Sequence, residues 1–192
     1  MGKPLRLIVG LGNPGEKYDR TRHNAGFWLL ERLARRYCGQ WREEKRFHGQ
    51  AARIDIDGRD VYLLKPSTFM NRSGLSVAAM ASYYKIAPAE LAIAHDEIDL
   101  PPGGVRFKFG GGHGGHNGLR DIFAHLGRDF WRIRIGVGHP GHRDQVIAYV
   151  LDRPPAEEQI RIDEAIDRAL DCLPFLVAGD SERAMQALHS NK

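Results

Sequence analysis

The stretch from 47 to 64, FHGQAARIDIDGRDVYLL, contains two runs of alternating apolar and polar residues on either side of an Asp-Gly pair. Asp-Gly between two such runs is the strongest short-range signal for a β-hairpin, because both residues accept a positive φ. We therefore predict strands over 47–56 and 60–64, joined by a turn at Asp57-Gly58. A hairpin of this kind makes the sheet that contains it mixed rather than purely parallel.

Around this hairpin, short apolar runs alternate with segments of helical periodicity. Strands are predicted over 5–11, 91–95, 105–109 and 131–137, and helices over 24–38, 68–84, 119–126, 156–173 and 181–189, with Pro174 ending the helix before it. The pattern predicts the fold class α/β: a single domain over 1–192, in which a twisted mixed β-sheet carries helices on both faces (three-layer αβα).

The composition narrows the classes of protein to which the chain can belong. Of its 192 residues, 42% are hydrophobic, and no apolar run reaches the roughly 18 residues that a membrane span needs. The N-terminal run MGKPLRLIVGLG lacks a small-residue cleavage site, so we expect a strand there rather than a signal peptide, and a cytoplasmic protein. The two cysteines, Cys38 and Cys172, are expected to be buried free thiols.

Charge is distributed unevenly along the chain, although the net charge is only +4. Residues 1–50 carry 11 Lys and Arg against 5 Asp and Glu, and residues 103–143 carry 7 against 2. Two basic blocks fit a polyanionic partner such as nucleic acid, and they fit equally well a solvated basic face without a partner.

The segment 10–15, GLGNPG, matches the glycine pattern of a dinucleotide-binding turn. However, Pro14 removes a backbone N–H that such a turn offers to a pyrophosphate, and the helix begins only near Asn24. A nucleotide-dependent oxidoreductase is therefore a minority alternative, which a titration with NAD(P)H would test.

Two His-x-x-His pairs, His113 with His116 and His139 with His142, are candidate metal ligands. Both pairs lie among glycine and proline without an obligatory third ligand in sequence, so we predict no metal site. A serine nucleophile is also poorly supported, because the chain has no G-x-S-x-G motif, and the serines of 66–76 fit helix caps and helix surface.

Several polar residues fall where predicted strands end or helices begin, which is where open α/β sheets bind ligands. They are Asn13, Tyr18, His23, Asn71, Asp96 and Asn117. A histidine beside a strand-end aspartate makes a pair that activates water, and asparagines suit the recognition of ester or amide carbonyls. Each residue taken singly also fits a turn, a helix cap or an exposed acidic loop.

Five separated motifs, in order over nearly the whole chain, resemble those of the bacterial peptidyl-tRNA hydrolase family. They are VGLGNPGEKYDRTRHNAGF (9–27), LLKPSTFMNRSG (63–74), HDEIDLPPG (95–103), FGGGHGGHNGLRDI (109–122) and RIGVGHPG (134–141). The resemblance implies a monomeric cytoplasmic enzyme that hydrolyses the ester between a peptide and the 3′ end of tRNA. It implies no metal, no cofactor, no membrane and no obligate protein partner.

The resemblance also implies roles for individual residues. His23 corresponds to the general base and Asp96 to the carboxylate that orients it, while Asn13 corresponds to the residue that separates N-blocked from free aminoacyl-tRNA. The positions implied to contact the tRNA terminus or the peptide are Tyr18, Phe69, Met70, Asn71 and Asn117, and those implied to hold the tRNA 5′-phosphate are Arg106, Lys108 and Arg134. In FGGGHGGHNGL, we expect Asn117 to matter most, with His113 and His116 as loop or supporting residues.

A non-catalytic RNA-binding protein on the same fold is the alternative from a different class. Such a protein need not keep the whole polar set, and it would bind RNA without cleaving the ester.

Overall fold

A computed structural model of the protein describes residues 2–190. Its strands are β1 Leu7–Gly10, β2 Arg42–Glu44, β3 Gly49–Ile56, β4 Arg59–Pro66, β5 Leu91–Glu97, β6 Val105–Phe109 and β7 Trp131–Gly136. They form one sheet in the order β2-β3-β4-β1-β5-β7-β6. The pairs that β1 makes with β4 and β5, and that β5 makes with β7, are parallel, whereas the outer pairs are antiparallel.

The predicted hairpin is confirmed. Strands β3 and β4 pair antiparallel with Ile54 opposite Val61, and the turn residues Asp57 and Gly58 have φ values of 52° and 84°. These positive φ values are the conformation for which Asp-Gly is suited. The hairpin therefore makes one side of the sheet antiparallel, as the sequence predicts.

Helices cover both faces of the sheet, which confirms the three-layer arrangement. They are α1 Ala25–Arg36, α2 Ser73–Tyr83, α3 Asn117–Leu126, α4 Val146–Val150, α5 Ala156–Val177 and α6 Ser181–His189. Buried apolar side chains of α1, α5 and α6 form a core on one face, and those of α2 and α3 form a second core on the other. Short 3-10 turns at Arg22–Asn24 and Met70–Arg72 precede α1 and α2.

Gly10 and Gly12 of the GLGNPG segment allow close packing between β1 and α1. A Cβ on Gly10 would overlap the carbonyl of Gly26, and a Cβ on Gly12 would overlap the ring of Phe27. The chain after Gly15 forms 3-10 turns rather than the helix that a dinucleotide site requires. The structure thus gives these glycines a packing role.

The structure differs from the sequence-based predictions in three respects. Pro174 lies inside α5 rather than at its end, because Leu176 and Val177 continue the buried face of the helix and offset the cost of the missing N–H. The short elements β2 and α4 have no counterpart among the predicted elements. Cys172 is buried as expected, but Cys38 is exposed.

Within residues 2–190, no helix combines the length and the apolar character that crossing a membrane would require.

Candidate active site

His23 and Asp96 meet at the carboxyl end of the parallel strands. His23 lies in the turn before α1, and Asp96 is the penultimate residue of β5. The Nδ1 atom of His23 lies 3.0 Å from Oδ1 and 2.9 Å from Oδ2 of Asp96. Since a carboxylate only accepts, Nδ1 carries the proton and Nε2 is left unprotonated in the neutral ring. This His–Asp pair is chemically suited to take a proton from water at Nε2.

Burial and charge set the protonation of the pair. Burial lowers the pKa of His23, but the negative charge of Asp96 and its hydrogen bond outweigh this and leave the pKa above the ordinary 6.5. Burial raises the pKa of Asp96, but attraction to His23 and His116 and their hydrogen bonds hold it far below its usual range. Asp96 therefore stays ionised and favours a positive charge on His23.

His116 is a third member of the site, which the sequence analysis expected only as a loop or supporting residue. Its Nε2 lies 2.8 Å from Oδ1 of Asp96, and its Nδ1 accepts from the backbone N–H of Gly118 at 3.1 Å. Because Nδ1 is an acceptor, Nε2 is the donor to Asp96. His116 thus caps the N-terminus of α3 and at the same time holds the carboxylate.

The three side chains His23, Asp96 and His116 also have the composition of a metal site, and their ligand atoms all lie within 4.8 Å of one another. In this structure the distances from the imidazoles to Asp96 are hydrogen-bond distances, 2.8 to 3.0 Å. A zinc ion would lie about 2.0–2.2 Å from each ligand and would have to displace both N–H protons. The hydrogen-bonded arrangement accounts for all three side chains without an ion.

Asn13 is fixed from both sides. Its Oδ1 accepts from the backbone N–H of Met70 at 2.7 Å, and its own backbone N–H and C=O are bonded by the side-chain amide of Asn24 at 2.8 and 3.0 Å. The bond from Met70 orients the amide, so that Nδ2 of Asn13 is the donor presented to the cleft. Asn24, which is buried, is a residue that the sequence analysis placed only at the start of a helix.

A cleft of about 630 Å³ opens over these groups. The residues that line it include Asn13, His23, Phe69, Met70, Asn71, Asp96, His116 and Asn117. Tyr18 is not among the lining residues but contacts Phe69 edge-on, at 6.5 Å between ring centroids. The structure thus brings together seven of the eight residues expected to be catalytic or to contact the substrate, and places Tyr18 beside them.

The cleft also has an apolar wall, formed by Val146, Ile147, Val150 and Leu151 from α4 and the residue after it. Ile147 is 70% exposed, and Leu151 is 41% exposed. Exposed aliphatic side chains that line the same cleft as a polar His–Asp pair are suited to contact an apolar part of a ligand.

The remaining histidines of the two His-x-x-His pairs serve their own turns. The Nδ1 atoms of His113, His139 and His142 accept from the backbone N–H groups of Gly115, Gly141 and Asp144 at 2.9, 2.9 and 3.2 Å.

Two serines of the PSTFMNRSGLS segment are buried, although the sequence favoured helix caps and helix surface for them. Ser73 and Ser76 are fully buried and donate to the carbonyls of Met70 and Phe47.

A basic face lies beside the cleft, on β6 and β7. Arg106 is paired in register with Arg134, and Lys108 with Arg132, so the four side chains share one face of the sheet. Arg106 and Lys108 are exposed, and Nε of Arg134 donates to Oε1 of Glu97 at 2.8 Å. Arg132 is buried, and it donates to the carbonyls of Gly111 and Gly112 in the glycine-rich segment. Arg106, Lys108 and Arg134, which we call the basic face, are the residues that remain near solvent.

The three-layer α/β fold thus carries a cleft into which a buried His–Asp pair opens, an arrangement that is typical of hydrolytic enzymes. The family model for peptidyl-tRNA hydrolase matches residues 7–192. Peptidyl-tRNA hydrolase of Halorhodospira halophila is 59% identical over 187 residues, covering 97% of this chain and 96% of that protein. Peptidyl-tRNA hydrolase of Neisseria meningitidis is 51% identical over 191 residues, covering 99% of this chain and 100% of that protein.

A solved structure of peptidyl-tRNA hydrolase from Acinetobacter baumannii matches with a TM-score of 0.96 at 52% identity, covering 98% of this chain and 96% of that one. The chain therefore belongs to the peptidyl-tRNA hydrolase family, and it is a hydrolase. The resemblance carried by the five motifs is confirmed.

Proposed function

We propose that this enzyme hydrolyses the ester between a peptide, or an N-blocked amino acid, and the 3′ end of tRNA, and so recycles tRNA from stalled or prematurely terminated translation. The observation that carries the proposal is the bond from Nδ1 of His23 to Asp96, which leaves Nε2 as the base beside the cleft. Family membership supports the substrate class.

In the proposed reaction, Nε2 of His23 takes a proton from a water molecule as the water oxygen attacks the ester carbonyl carbon. Asp96 stabilises the imidazolium that forms. When the tetrahedral intermediate collapses, the bond to the ribose 3′ oxygen breaks and that oxygen takes the proton from His23. The products are a peptide carboxylate and a tRNA with a free 3′ hydroxyl. A general base of this kind contributes about 10²–10⁴-fold to the rate.

Asn13 supplies the proposed selectivity for N-blocked substrates. Because Met70 occupies its Oδ1, Nδ2 is oriented as a donor toward a carbonyl oxygen of the acylated amino group. A free aminoacyl-tRNA lacks this carbonyl and carries a cationic ammonium, which cannot accept a hydrogen bond. The donor orientation of Nδ2 supports recognition of the acylated amino group through its carbonyl oxygen.

The other polar and aromatic residues of the cleft hold the rest of the substrate in this proposal. The residues assigned to contact the tRNA terminus or the peptide are Tyr18, Phe69, Met70, Asn71 and Asn117. Nη1 of Arg120 donates to Oδ1 of Asn117 at 3.2 Å. The N–H₂ group of the Asn117 amide therefore points away from Arg120 and is left as a donor. An amide donor near the reacting carbonyl stabilises the negative charge that develops on its oxygen.

The basic face binds the tRNA acceptor stem in this proposal. Arg106, Lys108 and Arg134 lie beside the cleft and hold the 5′-phosphate, with Arg134 oriented by Glu97. Contacts to phosphate position the RNA without reading its sequence.

We further propose that residues 1–192 act as a single domain and as a monomer in the cytoplasm, without metal, cofactor or obligate protein partner. Activity that survives exhaustive treatment with EDTA supports the metal-free mechanism. Loss on chelation, restored by added zinc, contradicts it and assigns the ion to His23, Asp96 and His116.

The proposed function is tested by offering the purified enzyme N-acetyl-aminoacyl-tRNA and the same tRNA with a free amino group. We expect rapid release of N-acetyl amino acid and slow hydrolysis of the unblocked substrate. Equal rates for both, or binding of tRNA without ester cleavage, would contradict the proposal, and the second outcome would favour the non-catalytic RNA-binding alternative.

A further inference from the structure

We propose that Arg22 is a positioning residue that fastens the apolar wall of the cleft to the turn carrying His23, and that it thereby determines how tightly the enzyme holds an apolar acyl side chain. The kinetic part of this inference rests on the proposed function. Its structural part does not.

The backbone N–H and the side chain of Arg22 both contact residues at the end of α4. Its backbone N–H donates to the carbonyl of Asp152 at 3.0 Å, and its Nη1 donates to the carbonyl of Tyr149 at 2.9 Å. The guanidinium also lies over the ring of Tyr149, 3.7 Å from the centroid. The next residue in the chain is His23, so a single residue, Arg22, connects His23 to the apolar wall.

The burial of Arg22 indicates that its contacts with the end of α4 are specific. Arg22 is only 5% exposed, and its Nε has no hydrogen-bond partner among the described residues. The oxygens that Nη1 contacts are backbone carbonyls at the C-terminus of α4, where the helix dipole favours a cation. A buried guanidinium held by carbonyls and an aromatic face is costly to place, and lysine lacks the planar group to reproduce it.

Tyr149 completes the connection on the other side. Its hydroxyl donates to the carbonyl of Val137 at 2.8 Å, directly after β7. The ring is therefore held between Arg22 and the end of the sheet, while Val146, Ile147 and Val150 of the same short helix line the cleft. A helix of five residues is too short to be stable alone, so its position depends on such tertiary contacts.

This geometry predicts an effect that depends on the acyl side chain. A leucyl side chain contacts the apolar wall, whereas glycine has no side chain to place there. Loosening the wall therefore weakens binding of N-acetyl-leucyl-tRNA more than that of N-acetyl-glycyl-tRNA. His23 is held by its own hydrogen bonds to Asp96, which a substitution of Arg22 leaves in place, so we expect the turnover number to change little.

The experiment compares wild type with Arg22→Lys on these two substrates. For N-acetyl-leucyl-tRNA we expect KM to rise about tenfold with kcat nearly unchanged, the signature of lost ground-state binding. For N-acetyl-glycyl-tRNA we expect the KM to change less than about twofold. Hydrogen exchange should be faster across 146–152 and unchanged in β1 and β5, whether or not either substrate is cleaved.

Two further variants keep the proposal falsifiable if Arg22→Lys folds poorly. Tyr149→Ala removes the aromatic partner and should reproduce the KM effect, and Tyr149→Phe, which keeps the ring over which Arg22 stacks, should show a smaller one. Arg20→Lys, at an exposed position two residues away, is the matched control and should behave as wild type. Equal losses on both substrates, or unchanged exchange in 146–152, would overturn the assignment. Failure of the wild type to cleave either substrate would instead overturn the proposed function.

Discussion

His23 and Asp96 are 73 positions apart in the chain, yet Nδ1 of the imidazole lies 2.9 Å from one carboxylate oxygen and 3.0 Å from the other. The two residues meet because β1, which leads into the turn of His23, is the parallel neighbour of β5, which ends at Asp96 and Glu97. The carboxyl ends of neighbouring parallel strands lie at the same edge of a sheet, where α/β proteins place their ligands. The chemistry of the site therefore follows from the topology.

Replacing Asp96 by asparagine tests the electrostatic part of this relationship. In the proposed mechanism the active base is the deprotonated His23, so we expect activity to rise with pH through the pKa of that residue, which Asp96 holds above 6.5. In Asp96→Asn the raising charge is lost and burial lowers that pKa, so the acid limb of kcat/KM moves to lower pH. We expect kcat/KM itself to fall about 10²–10⁴-fold, because the imidazole loses its orientation and its counter-charge.

The measurement is a pH–rate profile together with NMR titration of His23. Asp99→Asn, at an exposed position in the same acidic segment, is the matched control and should leave the profile in place. An acid limb at the wild-type position in Asp96→Asn would show that Asp96 does not set the pKa of the base.

Replacing His116 separates its two contacts. His116→Ala removes the donor to Asp96 and the cap of α3, so we expect a rate loss of about tenfold and a loss of about 1 kcal/mol in the free energy of unfolding. His116→Asn keeps a good capping side chain but does not reach Asp96. This variant should regain the stability without regaining the rate, which urea unfolding and steady-state kinetics measure. Wild-type rates in both variants would leave His116 with the cap alone.

The basic face makes a prediction about salt. Each phosphate contact contributes about 0.7–0.9 to the slope of log affinity against log salt concentration. Lys108→Ala should therefore reduce the slope of log kcat/KM by about that amount and raise KM, with kcat unchanged. Arg53→Ala, on β3 at the other side of the sheet, is the control and should keep the wild-type slope. Identical slopes for all three proteins would remove Lys108 from the tRNA site.

The buried side chain of His95 leads us to expect that the free energy of unfolding depends on pH. It is buried beside the site, its Nδ1 donates to the carbonyl of Asp96 at 2.9 Å, and burial together with His116 lowers its pKa to about 4. The unfolded chain binds a proton at this residue near pH 6.5, whereas the folded chain does so only near pH 4. Stability is therefore lost as the pH falls through this window. Between pH 7 and 4.5 the wild type should lose about 2 kcal/mol more than His95→Gln, measured as the free energy of unfolding in urea. Equal losses in the two proteins would show that His95 titrates normally in the folded state.

Much of the fold could be predicted from local patterns. The Asp57-Gly58 hairpin and the strand over 105–109 were predicted from alternation and turn chemistry, and the structure places strands there with matching bounds for β6. Helix α5 shows the limit of this approach. Proline at 174 ends a helix by local rules, but the burial of Leu176 and Val177 against the sheet continues it.

Individual site residues with a distinctive chemistry could be predicted from the sequence. Contacts between side chains on separate elements were harder to predict. His23 and Asp96 were identified from their places after strands and from the resemblance. The hydrogen bond between His116 and Asp96 could not be predicted, because the glycine-rich segment before His116 does not fix the distance between the two side chains. The clamp of Asn24 on Asn13 and the contact of Arg22 with Tyr149 likewise join separate elements, and no periodicity in the sequence marks them.

The proposed mechanism is tested most directly by the rate at which His23→Ala hydrolyses N-acetyl-aminoacyl-tRNA, relative to wild type, at saturating substrate and neutral pH. We expect a loss of at least about 10²-fold, because the variant has no base to take the proton from water. A rate near that of the wild type would contradict the assignment of His23 and, with it, the mechanism proposed for this site.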